Sequence, residues 1–269
     1  MALSYRILNV FTDGDDPFSG NPLCVFEDAT GLSENDMQSL ARQLNLSETT
    51  FITPGNAEVT ANVRIFTPNY EMPFAGHPTL GTAYVVHDLL DVGNTGGDPV
   101  LLRMPAGDIP VRVNGRVWTL QAKPPISYPV DVSHSDLAAM IGLNADRIAA
   151  EPLWVDAGNI QLILPLLSAG AVRTASADPR HLAECATTPD GEAQLYCWAP
   201  TGPETIEARL FFTQNTAVLE DPATGSACAN LGGWFLANGQ QGIRRRVHQG
   251  SAVKRPSILD LEVDQDGTI

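Results

Sequence analysis

The chain has 269 residues, of which 43% are hydrophobic, and its formal net charge at pH 7 is −15. This length suits one large domain or two ordinary ones with a real core, and the acidic balance argues against nucleic acid and anionic membrane surfaces as partners. The sequence has no long apolar run and no charged-then-apolar leader, so we expect a cytoplasmic protein.

The cysteines and the known short motifs give no sign of a metal or a coenzyme. The four cysteines are scattered and form no C-x-x-C pair, which indicates neither a zinc site nor a disulfide framework. No Walker loop, G-x-G-x-x-G or H-E-x-x-H is present. We therefore expect no metal and no cofactor.

The first quarter of the chain predicts short strands around one amphipathic helix. Ser33 is the predicted N-cap of this helix, and Asp36, three residues later, is placed to bond back to it in a near capping box. The helix is predicted to end near Asn45. Alternation of apolar and polar residues predicts strands, which lie at residues 3–7, 23–26 and 60–67.

Residues 74–90 form the stretch around which the rest of the chain is organised. Pro78 suits the first turn of a helix, and residues 79–86 carry no charge. A surface helix has a charged face, so this one is predicted to be enclosed by other structure. Its amino end leaves backbone N–H groups free at the positive end of the helix dipole, which suits a carboxylate or a phosphate.

The segments after this helix predict a loop, a hairpin and a linker. Residues 91–98 are rich in Gly and Asp, Asn114-Gly115 predicts a type I′ turn, and residues 122–129 contain three prolines. We place the domain boundary in this linker. The predicted domains are residues 1–122 and 123–257, and whether the last strand, about 258–269, completes the first domain is left open.

The second half of the chain repeats the predicted pattern of short strands with few helices. Ser133 and Asp136 open a helix that runs to Ile141, and residues 239–250 are predicted to be a loop that carries Arg244–Arg246. About four helices are expected in all. Strands are predicted at residues 153–164, 195–198, 206–213 and 258–263.

Residues 220–236 have the same design as the first enclosed helix. Arg64 and Arg209, on the strands before the two helices, are 209 − 64 = 145 positions apart, and Gly76 and Gly225 are 225 − 76 = 149 apart. This offset is too long for a solenoid repeat and predicts two related domains, each with one enclosed helix. Two helix amino ends could then face a single cleft.

Several motifs, spread from the first strand to the last, resemble the PhzF-like phenazine-biosynthesis family of isomerases. The resemblance implies an α+β, diaminopimelate-epimerase-like fold of two similar domains, each a curled, mostly antiparallel sheet around a central helix. It also implies a cofactor-independent isomerase, often a homodimer, which moves a proton within a small carboxylate-bearing substrate. The motifs are F-S-G-N-P at 18–22, N-L-S-E-T-T-F at 45–51, R-I-F-T-P at 64–68, and the segments 71–81, 220–227 and 250–259.

Glu48 is the predicted general acid/base. A carboxylic acid can take a proton from one carbon and return it at another, and the resemblance places the family's catalytic glutamate here. The alternative is a solvated glutamate in a loop.

The resemblance assigns substrate binding to Gly76, His77, Asp221, Gly225 and Ser226. Gly76 allows close approach of the substrate to the backbone, and Gly225 and Ser226 offer amides to a carboxylate. Each polar residue also has a structural alternative. His77 or Ser226 could cap a helix, and Asp221 could be an acid that the helix dipole favours.

Cys228 is interpreted as a small buried core residue, because the first helix entry has no matching cysteine. This disfavours racemisation by two facing cysteines. Arg244–Arg246 are expected to face solvent, and Asn21 is expected to be structural. Cys228 and Phe212-Thr213 depart from the family pattern, which leaves the identity of the substrate open.

Three functions remain open on these grounds. The first is an intramolecular proton shift that Glu48 carries out. The second is an epimerase or racemase of a small amino or hydroxy acid that uses a different pair of residues. The third is a non-catalytic ligand-binding or regulatory protein on the same fold. Whether the chain acts in phenazine synthesis is left open.

Overall fold

The computed structural model describes residues 2–90, 99–189, 191–214 and 217–269. The chain divides into two compact units, Met1–Val10 with Asn21–Gln121, and Phe11–Gly20 with Ala122–Ile269. The predicted loop at residues 91–98 lies outside the described residues.

The first unit contains an eight-stranded sheet and two helices. Its strands are β1 (Tyr5–Val10), β2 (Asn21–Phe26), β3 (Thr49–Pro54), β4 (Ala61–Phe66), β5 (Glu71–Met72), β6 (Val100–Met104), β7 (Gly107–Asn114) and β8 (Val117–Leu120). Its helices are α1 (Glu34–Leu44) and α2 (Gly76–Leu89). The strand order is β1-β2-β3-β4-β6-β7-β8, and β5 pairs with β4.

The second unit contains another eight-stranded sheet. Its strands are β9 (Ile126–Pro129), β10 (Leu153–Asp156), β11 (Ile160–Pro165), β12 (Gln194–Pro200), β13 (Thr205–Gln214), β14 (Ala217–Asp221), β15 (Ile243–Gln249) and β16 (Ser257–Val263). Its helices are α3 (His134–Met140), α4 (Ala169–Thr174), α5 (Pro179–Cys185) and α6 (Gly225–Ala237), with a 3-10 turn at Ala145–Arg147. The strand order is β16-β15-β13-β12-β11-β10-β9, and β14 pairs with β13.

The two sheets have the same internal plan. Parallel pairing occurs at equivalent places, between β2 and β3 and between β4 and β6 in the first sheet, and between β11 and β12 and between β13 and β15 in the second. The other strand pairs are antiparallel. In each unit, one long helix follows the short strand that pairs with a central strand of the sheet. This helix is α2 after β5 in the first unit and α6 after β14 in the second. The predicted α+β fold of two similar domains is therefore confirmed.

The two arginines that revealed the repeat occupy equivalent positions. Arg64 on β4 donates to the Glu71 carboxylate on β5 through Nε and Nη2, at 2.6 and 2.5 Å. Arg209 on β13 donates to Glu220 on β14 in the same way, at 3.1 and 2.6 Å. Such two-pronged pairs fix geometry as well as charge. Each pair therefore holds the short strand that leads into the long helix.

The long helix of each unit is enclosed, as predicted. In α2, nine of 14 residues are buried, and in α6, eight of 13 are. Small residues make this possible, and Gly81 on α2 lies so close to β1 and β2 that a Cβ there would be 2.9 Å from Val10 Cγ2 and 2.6 Å from Leu23 Cδ2. Tyr84, halfway along α2, reaches solvent, with 45% of its surface exposed.

The first predicted helix, α1, is confirmed together with its capping box. Ser33 and Asp36 exchange side-chain and backbone hydrogen bonds, and Asn45 ends the helix in the left-handed conformation at φ 54°. Met37 and Ala41 are buried and pack with the aromatic side chains of the sheet.

The predicted loop at residues 239–250 is wrong, because most of it forms β15. Arg244 donates to Glu262 on β16 at 2.6 Å, and Arg246 donates to Asp260 on the same strand at 3.0 Å. The three consecutive arginines 244–246 interrupt the alternation of apolar and polar residues by which a strand is recognised in a sequence. Opposite charges across the ladder stabilise it where apolar contacts are few. Arg244 and Arg246 face solvent, as predicted, whereas Arg245 is half-buried and its guanidinium lies 5.6 Å from the centroid of the Phe235 ring.

Other boundaries also differ from the prediction. The segment 153–164 is a hairpin rather than one strand, and part of the linker at residues 122–129 is the edge strand β9. The predicted hairpin at 111–118 is present, but its turn consists of Gly115 and Arg116, and Gly115 is the residue with positive φ. Thus the turn is not the Asn-Gly type I′ turn that was expected.

Six α-helices are present in the described residues, rather than about four. The unpredicted ones, α4 and α5, have six and seven residues, which is too short for a clear helical period. Of the helices described, none combines the length and the apolar character needed to cross a membrane.

The second unit includes two segments whose place the sequence did not predict. The last strand, β16, pairs with β15 and so lies in the second unit. The segment 11–20 also belongs there, because the Ile258 N–H donates to the Phe11 carbonyl at 2.9 Å and Arg255 donates to the carbonyl of Gly20 at 2.7 Å.

We expect Gly81→Ala to destabilise the protein by about 1–2 kcal/mol. Alanine gains about 1 kcal/mol of helix propensity over glycine, but overpacking a tight contact costs about 1–3 kcal/mol. The close contacts with Leu23 and Val10 make the net change in the free energy of unfolding unfavourable. The measurement is the urea midpoint followed by circular dichroism.

Gly170→Ala in α4 is the matched control, since a Cβ there meets only Ser168 Oγ at 3.6 Å. That variant should be as stable as the wild type or slightly more so. If Gly81→Ala behaved like Gly170→Ala, the close packing of α2 against β1 and β2 would be refuted.

Candidate active site

Glu48 lies on the short connection between α1 and β3. The left-handed Asn45 ends α1, and the chain then turns directly into β3, whose first residues Thr49 and Thr50 are completely buried. This abrupt entry into the sheet draws the preceding side chain inward. The Glu48 side chain is only 16% exposed, so it is not a solvated loop glutamate.

The structure brings Glu48 and His77 together. His77 is the second residue of α2, its side chain is 6% exposed, and its Nε2 lies 3.5 Å from Glu48 Oε2. This separation is long for a hydrogen bond but short for an electrostatic interaction in a poorly solvated place. Catalytic hydrogen bonds are often this long before a ligand binds.

Burial sets the proton affinity of Glu48. It raises the pKa of the carboxyl to about 7, while a hydrogen bond from Ser47 acts in the opposite direction. Oε2 is buried and makes no hydrogen bond of standard geometry within the described part of the chain. Near neutral pH, this carboxyl can therefore be converted between its acid and base forms at little cost, as a general acid/base requires.

Gly76 and His77 form the amino end of α2. The residue before them, Ala75, has no side chain that can cap a helix, and no side-chain cap is made. The positive end of the helix dipole is therefore not occupied by a side-chain oxygen, which suits an anionic group.

In the second unit, Asp221 ends β14 and is held by Gln249, which is 1% exposed. Gln249 Nε2 donates to the Asp221 carbonyl at 2.9 Å and to Thr224 Oγ1 at 3.0 Å, and its Oε1 accepts from the Tyr196 hydroxyl at 3.3 Å. Thr224 Oγ1 in turn donates to the Asp221 carboxylate at 2.5 Å. The network thus holds Asp221 as a hydrogen-bond acceptor.

Gly225 and Ser226 are the first two residues of α6. The residue before them, Thr224, makes no side-chain cap, since its hydroxyl is directed to Asp221. Ser226 is partly exposed, and its Oγ lies 3.2 Å from Gln161 Nε2. Asp221, Gly225 and Ser226 therefore lie around one helix entry.

Cys228 is buried, as predicted, with 4% of its surface exposed. Burial raises the pKa of its thiol to about 12, so it is a poor base or nucleophile at neutral pH. Asn21 is also buried, and its Oδ1 lies 3.3 Å from Ser47 Oγ. Across the residues described, no group of three or more His, Cys, Asp or Glu side chains could hold a metal ion.

Sequence reasoning missed the polar side chains behind the helix entry of the second unit. These residues are Gln161, Tyr196, Asn230 and Gln249. The first three leave a signal that is visible in retrospect, since each is a polar residue inside a mostly apolar strand or helix, where it costs free energy unless it is hydrogen-bonded. Gln249 ends the charged strand β15 and leaves no such signal.

The duplicated fold is that of the diaminopimelate-epimerase-like proteins. The structure of a probable proline racemase from Agrobacterium radiobacter matches it with a TM-score of 0.62 at 11% identity, covering 97% of this chain and 85% of that one. A phenazine-biosynthesis PhzF-family protein from Bacillus anthracis gives a TM-score of 0.81 at 22% identity, with coverages of 97% and 90%. At these identities, both matches show the fold alone.

The family model described as phenazine biosynthesis-like protein (PhzC-PhzF) matches residues 8–268, and the chain belongs to this family. It is 38% identical to an uncharacterized isomerase of Pasteurella multocida, over 99% of this chain and 89% of the relative. It is 33% identical to trans-2,3-dihydro-3-hydroxyanthranilate isomerase of Pseudomonas aeruginosa, over 98% and 91%. The protein is therefore an isomerase.

We expect Glu48→Gln to change how stability depends on pH. The pKa of Glu48 is about 7 when folded, against 4.5 as its ordinary value. Its stabilising effect is therefore complete below pH 4.5 and is lost as the pH rises through 7. Between pH 5.5 and 8.5, the wild type should lose about 2 kcal/mol relative to the variant. Urea unfolding in this range, which avoids the pI of about 4.5, measures it.

Glu58→Gln is the control, because the Glu58 side chain is 74% exposed. Its stability should follow that of the wild type across the same pH range. A Glu48→Gln variant whose stability also ran parallel to the wild type would mean that the carboxyl is not buried.

Proposed function

We propose that the protein moves a proton from one carbon to another within a small carboxylate-bearing substrate, with Glu48 as the general acid/base and no cofactor. The observation that carries this proposal is a glutamate whose burial brings its pKa to about 7, next to His77 at 3.5 Å. Strongly shifted pKa values next to a specific polar partner cluster at functional sites.

The proton balance of this reaction needs one group only. The ionised Glu48 takes a proton from a carbon whose anion is stabilised by a neighbouring unsaturated group. The resulting carboxylic acid returns the proton at the other end of the delocalised system, so the enzyme ends as it began. His77 contacts the same carboxyl and is suited to orient it or to hydrogen-bond the substrate.

The remaining predicted residues are assigned to substrate binding. In the first unit, Gly76 and His77 offer the uncapped amino end of α2, and in the second unit, Gly225 and Ser226 offer that of α6. Both ends suit a carboxylate. Asp221, held as an acceptor, suits an ammonium or hydroxyl group.

The Pseudomonas aeruginosa relative supports this substrate class. Its name describes an isomerase of trans-2,3-dihydro-3-hydroxyanthranilate, which carries a carboxylate, an amine and a hydroxyl group. We propose a substrate with these functional groups for this chain as well. Two facing cysteines, as in a two-base racemase, do not fit, because Cys228 is buried with a raised pKa.

We expect Glu48→Gln to lower kcat on trans-2,3-dihydro-3-hydroxyanthranilate by about 10³-fold, because general acid–base groups contribute about 10²–10⁴. The amide can neither take nor return a proton. In D₂O, the Glu48 carboxylic acid that exchanges with solvent before it returns the proton should place deuterium at the new C–H bond of the wild-type product, without inversion at another stereocentre. Mass spectrometry and NMR follow both.

Glu58→Gln controls for the loss of a negative charge elsewhere and should keep wild-type turnover. Full turnover by Glu48→Gln would reject Glu48 as the acid/base. Deuterium exchange with inversion at one carbon would favour the epimerase instead.

The pH dependence of kcat/KM gives a further prediction. The proton-abstracting form is the carboxylate, so kcat/KM should fall about tenfold per pH unit below the Glu48 pKa of about 7. The hydrogen bond from Ser47 lowers that pKa, so Ser47→Ala should move the acidic limb to higher pH. Ser133→Ala, which removes only the cap of α3, should leave it in place. An acidic limb near pH 4.5 in the wild type would contradict the assignment.

A further inference from the structure

A network of buried polar side chains leads to Ser226 through the apolar interior of the second unit. Gln161 on β11 and Asn230 on α6 are both fully buried. They are linked to each other at 2.8 Å, and Gln161 is linked to Ser226 at 3.2 Å. Because buried amides are costly unless they are hydrogen-bonded, such a network has a defined arrangement of donors and acceptors.

The donors and acceptors of the network can be assigned from a backbone group that can only donate. The N–H of Ala157 can only donate, and it lies 2.8 Å from Asn230 Oδ1. This fixes the orientation of the Asn230 amide, so its Nδ2 must be the donor. Nδ2 donates to the Asn159 carbonyl at 2.7 Å and to Gln161 Oε1 at 2.8 Å.

The same reasoning fixes the next amide. Since Gln161 Oε1 accepts from Asn230, the Gln161 nitrogen is the donor that faces Gln194 Oε1 at 2.9 Å and Ser226 Oγ at 3.2 Å. Both of its protons are then used. Ser226 Oγ must therefore accept, and its own proton is directed away from Gln161. Within the described ranges, the Ser226 hydroxyl donates to no protein acceptor.

We propose that this relay fixes the Ser226 hydroxyl as a hydrogen-bond donor to the substrate. Gln161 and Asn230 are then positioning residues that direct the Ser226 proton toward an acceptor, a carboxylate oxygen, at the amino end of α6. The inference rests on the proposed assignment of Ser226 to substrate binding. It agrees with the positive end of the helix dipole at the same place.

Neutron diffraction from crystals of the full-length protein soaked in D₂O tests the direction of the relay without any substrate. We expect two deuterons on the Gln161 nitrogen, one of them facing Ser226 Oγ, and a Ser226 deuteron that points elsewhere. A Ser226 deuteron that points at Gln161, with the amide oxygen facing the serine, would overturn the proposal. Because no turnover is involved, an error in the role of Glu48 would leave this result unaffected.

A double-mutant cycle tests the effect on the substrate. With the dihydro-hydroxyanthranilate as substrate, Ser226→Ala should raise KM about tenfold, and the near-isosteric Gln161→Met should raise it about fivefold, each with kcat changed less than twofold. The double variant should match Ser226→Ala alone. A full Gln161→Met effect in the Ser226→Ala background would show that Gln161 does not act through the serine.

Gln38→Met is the matched control for the loss of a glutamine hydrogen bond. Gln38 Nε2 donates to the Thr67 carbonyl at 2.8 Å in the first unit. This variant should leave KM unchanged. Thermal unfolding of every variant separates a change in KM from a loss of folded protein, and the neutron experiment decides the hydrogen-bond direction even if Gln161→Met does not fold.

Discussion

Each unit depends on burying one helix that has almost no polar surface. The sheet can pack around α2 and α6 only because small residues such as Gly81 allow its strands to approach. The residues before these helices leave the first turns without side-chain caps, because Ala75 has no polar side-chain atom and the Thr224 hydroxyl donates to Asp221. Each enclosed helix thus has an uncapped positive terminus.

The same burial accounts for the chemistry assigned to Glu48. Its connection is short because α1 ends abruptly at Asn45 and β3 begins at once with buried threonines. A longer loop would let the carboxyl reach water, and its pKa would stay near the ordinary value. In this chain, the proton affinity that suits a proton transfer is a consequence of loop length and packing.

The sequence was sufficient to predict the repeat, the two enclosed helices and the α1 capping box, because each rests on local spacing or on the absence of charge, whereas the α+β class came from the family resemblance. It failed at β15, where Arg244 and Arg246 are stabilised by partners on a strand that follows later in the chain. The contact of Glu48 with His77 was equally out of reach, because it joins residues from a loop and a helix. Resemblance supplied both residues, but not their distance. Gln161 and Asn230 were overlooked because single polar residues in apolar runs carry no periodic signal.

Although the two units share one plan, the chain does not divide between them at a single point. Residues 11–20 are inserted between β1 and β2, yet they bond to Arg255 and to the backbone beside Ser257 in the second unit. Cleavage in the linker would therefore yield a carboxyl-terminal piece in which the Arg255 guanidinium and the Ile258 N–H have lost their carbonyl acceptors, and an amino-terminal piece whose residues 11–20 have lost those donors. These ten residues thus belong to the second unit although strands of the first unit flank them on both sides.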